Sequence, residues 1–159
     1  MAIIESKAIL IYKTQTPFPI SVSIDDFYRG TRAALVGGTT TVVDCVAPES
    51  GESLIDAYNK WRGWAEDKVC CNYALRCEIG PETPKQEIAD LTHEDFGVNT
   101  FRLNMCGGEK RFSSDADILD AFETVKAVGG VAQVHAESGD VIEREERAMI
   151  GRGITGKDG

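Results

Sequence analysis

The feature that most constrains this chain is a repeat of strand-like and helix-like segments spaced about thirty residues apart. Apolar or β-branched runs that predict buried strands begin near residues 39, 69, 99 and 130. Each run is followed by a segment with a helix-start residue and apolar positions at three-to-four spacing. One strand plus one crossover helix of a parallel α/β fold needs roughly thirty residues. The repeat therefore predicts consecutive βα units.

An earlier unit brings the expected number to five. The segment KAILIY (residues 7–12) predicts its strand, and SIDDFYRGTRAALVGG (residues 23–38) predicts its helix. Ser23 is the expected cap of that helix, and Gly37-Gly38 its end. The other expected helix signals are Ser53, Thr83-Pro84, Ser114 with Asp117, and Gly129-Gly130.

Five βα units fit either an open doubly wound sheet or part of an eight-unit barrel. No GxGxxG motif follows the first strand, which weakens a nucleotide-binding interpretation. A closed βα barrel typically needs about 250 residues, so a barrel of this chain would be partial. We expect residues 1–159 to form one partial barrel domain, a fragment of the closed fold.

The composition excludes several classes of partner. A net charge of -9 without a lysine or arginine run argues against binding nucleic acid or anionic lipid. No apolar stretch reaches the roughly 20 residues that span a bilayer, so we expect no membrane association and a cytoplasmic location. Five cysteines without a CxxC pair predict reduced thiols, with Cys70 and Cys71 on opposite faces of a strand.

Chemistry in parallel α/β folds sits where the strands end, and His135 ends the last predicted strand. It is a candidate metal ligand or general base, although a structural role is the alternative. His93, the other histidine, is expected on the surface of a helix. The remaining strand-end candidates are residues 11–13, Asp44, Cys45, Glu78 and residues 102–104.

Four blocks of sequence resemble the dihydropyrimidinase family, which includes the collapsin response mediator proteins. They are DDFYRGTRAALVGGTTTVVD, WRGWAEDKVCCNYAL, FGVNTFRLNM and VAQVHAESGDVIEREERAMIGRGITG. The resemblance covers residues 17–159 and leaves residues 1–16 as a divergent segment. It implies the N-terminal part of an amidohydrolase TIM barrel, an α/β fold.

The resemblance also implies that three of the four metal-ligand positions that this chain covers are replaced. Active members carry a His-x-His pair at the positions of Ile11 and Lys13, and a carboxylated, metal-bridging lysine at the position of Arg102. A substrate-facing tyrosine of the family falls at about Gly107. Only His135 matches a ligand, so we expect it to be a remnant and expect no functional zinc site.

The resulting functional prediction is a non-catalytic, collapsin response mediator-like protein. The resemblance implies homo- or hetero-tetramers that bind tubulin or other cytoskeletal proteins and act in axon growth or guidance. One alternative is a zinc-dependent hydrolase of cyclic amide C–N bonds. Another is a truncated product without independent function.

Overall fold

The computed structural model describes residues 3–5, 25–106, 112 and 114–157. Within these residues, five strands alternate with five helices. The strands are β1 (Ile3–Glu5), β2 (Thr41–Val46), β3 (Asn72–Glu78), β4 (Thr100–Asn104) and β5 (Val131–His135). The helices are α1 (Phe27–Val36), α2 (Leu54–Ala65), α3 (Lys85–Thr92), α4 (Asp115–Ala127) and α5 (Gly139–Gly151). The predicted strand at residues 7–12 lies outside the described residues, and β1 precedes it.

The strands form one parallel sheet in the order β1-β2-β3-β4-β5. In a doubly wound sheet the strand order reverses at a switch point, whereas a barrel adds each new strand to the same side of the last. The sequential order is therefore that of a barrel wall. It decides between the two architectures that the sequence left open and confirms the partial α/β barrel.

The two faces of the sheet differ in chemistry because successive side chains alternate between them. One face carries apolar residues that pack against the helices, and this layer is the hydrophobic core. Its largest fully buried side chains include Val42, Val46, Leu91, Phe101 and Leu103. The opposite face, which a barrel turns toward its interior, is polar near the ends of the strands.

Several predicted signals are confirmed. The Ser53 hydroxyl caps α2 by accepting the N–H of Asp56, and the Ser114 hydroxyl caps α4 by accepting the N–H of Asp117. Strand β5 has the predicted bounds. Trp61 is buried, as expected of a packing residue. Among the described helices, none is both long and apolar enough to cross a membrane.

Two predicted caps are wrong. Asp26 caps α1, because its carboxylate accepts the N–H of Arg29 at 2.8 Å, whereas Ser23 lies outside the described residues. Helix α3 has Pro84 at its cap position and no side-chain cap. The Thr83 hydroxyl instead accepts the N–H of Gly80 at 2.9 Å, which stabilises the preceding turn.

Two placements also differ from the prediction. Cys70 and Cys71 lie in a bent segment before β3, so they do not alternate across a strand. His93 follows α3 as its C-cap residue and is therefore not part of the helix. Its side chain is exposed, and its Nδ1 lies 3.3 Å from Asp95 Oδ2.

Candidate functional site

Polar side chains cluster on the inner face of the sheet near the carboxyl ends of the strands. The register aligns Cys45 with Arg76, and Glu78 with Arg102. Residues paired across parallel strands share one face of a sheet. The inner-face cluster comprises Cys45, Arg76, Glu78, Arg102, Asn104, Gln133 and His135.

Arg76 organises the buried part of this cluster. Its side chain is only 5% exposed, and its Nη1 donates to Gln133 Oε1 at 2.5 Å. Strand β4 lies between the strands that carry these two residues, so the bond joins alternate strands across the interior. Interior layers of βα barrels are built from alternate strands in this way.

Cys45 is a protonated thiol at neutral pH. Burial raises its pKa to about 11, and the negative charge of Glu78 adds to the rise. A hydrogen bond with Arg76, together with the charges of Arg76 and Arg102, opposes this only in part. Because the thiolate is the nucleophilic form, Cys45 is not an activated nucleophile.

Two acceptor atoms of the cluster lack a hydrogen-bond donor among the described residues. They are Glu78 Oε2 and Asn104 Oδ1, both inaccessible to solvent. The cluster brings two guanidinium groups together with a single carboxylate. Its fixed charge is therefore net positive.

Asp44 does not belong to the cluster, although it ends the same strand. It shares the face of Val42 and Val46, and its Oδ1 accepts the N–H of Cys45 at 2.8 Å. Burial raises its pKa to about 7, which the Cys45 hydrogen bond and the charge of Arg76 only partly counteract. Asp44 is a buried carboxyl on the helix-packing side of the sheet.

His135 is the last residue of β5 and lies on the inner face. Its Nε2 is 3.2 Å from Glu137 Oε2, and about a third of its side chain is exposed. Its register partner is Asn104, two positions after Arg102 on β4. The fold thus brings Arg102 and His135 to one edge, while Ile11, Lys13 and Gly107 lie outside the described residues.

The described residues do not fit a zinc centre at this edge. Zinc sites need three or four nitrogen, sulfur or oxygen donors in close geometry. Among the described residues, no three histidine, cysteine, aspartate or glutamate side chains come together in a way that could hold a metal ion. The guanidinium of Arg102 offers only N–H groups and remains charged.

Arg76 and Gln133 were not predicted from the sequence as site residues. A signal for Arg76 was present, because it lies two residues before Glu78 in a strand and so on the same face. No comparable signal marks Gln133. Its role depends on a bond to a residue 57 positions away.

A groove of about 670 Å³ lies between the loops that precede α2 and α3. Its lining includes the carboxylates of Glu52 and Glu87. Glu52 is 2.6 Å from Lys60 Nζ, and Glu87 accepts the N–H of Leu54 at 2.7 Å. These carboxylates join helices and turns to one another, so the groove is part of the scaffold.

Comparisons with known proteins agree with this architecture. No family model matches the chain. It is 43% identical to dihydropyrimidinase of Rattus norvegicus over 147 residues, which is 91% of this chain and 28% of that protein. It is 40% identical to dihydropyrimidinase-related protein 5 of Homo sapiens over 144 residues, which is 89% of this chain and 25% of that protein.

A solved structure is similar as well. The D-hydantoinase from Bacillus sp. AR9 superposes with a TM-score of 0.76 at 30% identity, covering 87% of this chain and 31% of that one. The chain therefore spans about three tenths of the length of the relatives it matches. The matched part of the hydantoinase therefore has a similar fold.

Proposed function

We propose that this chain is a non-catalytic member of the group that its homologues form. These homologues are dihydropyrimidinases and dihydropyrimidinase-related proteins. The observation that carries the proposal is Arg102 on the inner face of β4. By resemblance, active members place a carboxylated lysine there, which supplies a negative charge between two metal ions. An arginine supplies a fixed positive charge instead.

The neighbours of Arg102 strengthen this proposal. Arg76 adds a second guanidinium to the inner face, and among the described residues the register places one carboxylate, Glu78, beside these arginines. A positively charged group close to a metal site opposes the binding of a divalent cation. One imidazole, His135, does not offset that charge.

The cellular role belongs to the same proposal and rests on resemblance. A collapsin response mediator-like protein would be cytoplasmic, would assemble into homo- or hetero-tetramers and would bind tubulin during axon growth. The 40% identity to human dihydropyrimidinase-related protein 5 supports this assignment. The net charge of -9 is compatible with a protein partner and disfavours nucleic acid.

A zinc-dependent hydrolase of cyclic amides is the second candidate. It is favoured by the presence of His135 at the matching position and by the 43% identity to rat dihydropyrimidinase. Arg102 opposes it. The proposal and this candidate make opposite predictions about ring opening.

Ring opening of dihydrouracil and hydantoin, assayed with the full chain in the presence of added zinc, tests the proposal. We expect no turnover above the buffer rate, because no bound metal would lower the pKa of water. Arg102→Lys should stay inactive as well, since Ile11 and Lys13 leave the first-strand ligands missing. Turnover that a chelator abolishes, in either protein, would contradict the proposal.

Co-sedimentation with microtubules tests the cellular role separately. The full chain should pellet with polymerised tubulin and stay in the supernatant without it. A chain that remains in the supernatant at every tubulin concentration would refute the tubulin-binding part. The ring-opening result would be unaffected.

A further inference from the structure

Two adjacent cysteines lie in the turn between α2 and β3. Cys70 and Cys71 are both free and half-buried, and the backbone bends at both residues. Because β3 begins at the next residue, they lie at the amino end of the strands. The inner-face cluster is at the opposite end, so these thiols take no part in the function proposed above.

Contacts with α1 hold the cysteine turn in place. The N–H of Cys70 donates to the Thr31 hydroxyl at 2.9 Å, and this buried hydroxyl donates in turn to the carbonyl of Phe27. The sulfur of Cys70 is 4.0 Å from the carbonyl oxygen of Tyr28 and 3.9 Å from that of Lys68. The position of Cys70 is therefore defined by its neighbours.

The two thiols belong to consecutive residues of one bend. Burial raises the pKa of Cys71, and the neighbouring Cys70 raises it further. Cys71 also packs against the edge of the hydrophobic core. By contrast, Cys45 and Cys77 are buried within the sheet, where thiophilic reagents have little access.

We propose that Cys70 and Cys71 form a vicinal dithiol site for trivalent arsenicals. Cα atoms of adjacent residues are about 3.8 Å apart, which is shorter than the roughly 4.4–6.8 Å usual for a disulfide. A direct bond between the sulfurs would therefore be strained. A bridging arsenic atom forms a larger ring, and thiolates favour soft partners of this kind.

The reaction balances without an oxidant. An arsenoso group, R–As=O, reacts with the two thiols, and two As–S bonds form. Both S–H protons leave with the arsenoso oxygen as one water molecule. Arsenic remains trivalent, and neither sulfur is oxidised.

The probe for this site is phenylarsine oxide, added to the full chain and followed by intact-protein mass spectrometry. We expect one phenylarsenic group per chain, stable to excess monothiol and removed by a 1,2-dithiol. Cys70→Ala and Cys71→Ala should each bind at least tenfold more weakly. Cys106→Ala, the matched control with another half-buried thiol, should bind like the wild type.

Two results would overturn the proposal. One is full binding of phenylarsine oxide by the Cys70→Ala variant. This variant is expected to fold, because the Cys70 thiol makes only long contacts with carbonyl oxygens. The other is binding of phenylarsine oxide by the wild type in urea but not in the native state. That result would mean that the fold holds the two thiols apart. Circular dichroism of each variant confirms that the native state is being compared.

Discussion

At the scale of single residues, Asp44 couples folding to pH. Its carboxyl is buried, and its pKa is raised to about 7 from an ordinary value near 4. Between these values the folded chain binds more protons than the unfolded chain. The contribution of Asp44 to the free energy of unfolding is therefore greatest at low pH. It falls as pH rises through this window and stays low above about pH 7.

Asp44→Asn should remove this pH dependence. An amide keeps an oxygen for the N–H of Cys45 and carries no charge to bury. We expect the free energy of unfolding at pH 8 to rise by up to about 4 kcal/mol, since each pKa unit corresponds to about 1.4 kcal/mol. At pH 4 the change should be close to zero.

Urea unfolding at the two pH values measures this difference. Asp95→Asn, which changes an exposed carboxylate, is the matched control and should show little effect at either pH. An equal gain for Asp44→Asn at pH 4 and pH 8 would contradict the burial of an ionising carboxyl.

The sequence identified single site residues where a local pattern marks them. Arg102 and His135 were predicted at the ends of their strands, and the fold places both on the inner face. Arg76 was missed although its spacing from Glu78 marks its face, and Gln133 was missed because its bond to Arg76 crosses an intervening strand. Asp44 was grouped with the strand-end candidates, but pairing between strands puts it on the other face.

At the scale of elements, a hydrogen bond of Glu87 connects α3 to the start of α2. Its Oε2 accepts the N–H of Leu54 at 2.7 Å, and a carboxylate is favoured at the positive end of a helix. Glu87→Gln should lower the free energy of unfolding by about 1 kcal/mol. Glu82→Gln removes an equal charge from an exposed position of the same groove and should change stability by less than about 0.5 kcal/mol.

Chemical denaturation of both variants and the wild type measures the comparison. Equal losses of unfolding free energy in the two variants would show that the removal of a negative charge, and not the loss of the bond to α2, determines the effect.

Glycine has opposite roles in two elements. A Cβ at Gly130, between α4 and β5, would lie 3.1 Å from Val125 Cγ1 and 3.3 Å from Phe101 Cε2. Gly130→Ala should therefore destabilise the chain by about 1–3 kcal/mol through overpacking. A Cβ at Gly63, inside α2, meets nothing within 4 Å, so Gly63→Ala should stabilise it by up to about 1 kcal/mol.

Thermal or urea unfolding measures the change in the free energy of unfolding for both variants. A Gly130→Ala variant as stable as the wild type would show that the α4–β5 junction relaxes without cost.

Element types were predictable because each βα unit carries its own periodicity and several of its own caps. Ser53 and Ser114 begin their helices as predicted, and β5 has the predicted bounds. The predicted caps fail where another acceptor or turn competes. Asp26 caps α1, and the Thr83 hydroxyl binds the N–H of Gly80 instead of a helix end.

At the scale of the whole molecule, the order of the strands was not predictable from the sequence. Five βα units are compatible with two architectures, and only the pairing of each strand with the next identifies a barrel wall. The superposition on the D-hydantoinase from Bacillus sp. AR9, with a TM-score of 0.76, agrees with this architecture. The polar inner face is a consequence of the same pairing.

Exposed apolar side chains on the last unit predict self-association of this chain. Val131 on β5, and Val141 and Ile150 on α5, are each more than half exposed, and α5 has no buried residue. Burial of such side chains against another chain is favourable. Sedimentation velocity should therefore show concentration-dependent association, reduced in a Val141→Lys/Ile150→Lys variant of unchanged stability.

A chain that is monomeric at every concentration, with a sharp and reversible thermal transition, would contradict the association. It would mean that the exposed residues of α5 need no partner.

The most direct test of the central proposal is the zinc content of the purified full chain, measured by elemental analysis after equilibration with zinc and dialysis. A Cys70→Ala/Cys71→Ala variant measured in parallel separates any zinc bound by the cysteine turn. Both proteins should hold far less than one zinc per chain. The reason is that Arg102 places a positive charge on the inner face, and that His135 is the only residue of this sequence that matches a metal ligand of the family. Two zinc ions per chain in both proteins would contradict the non-catalytic assignment.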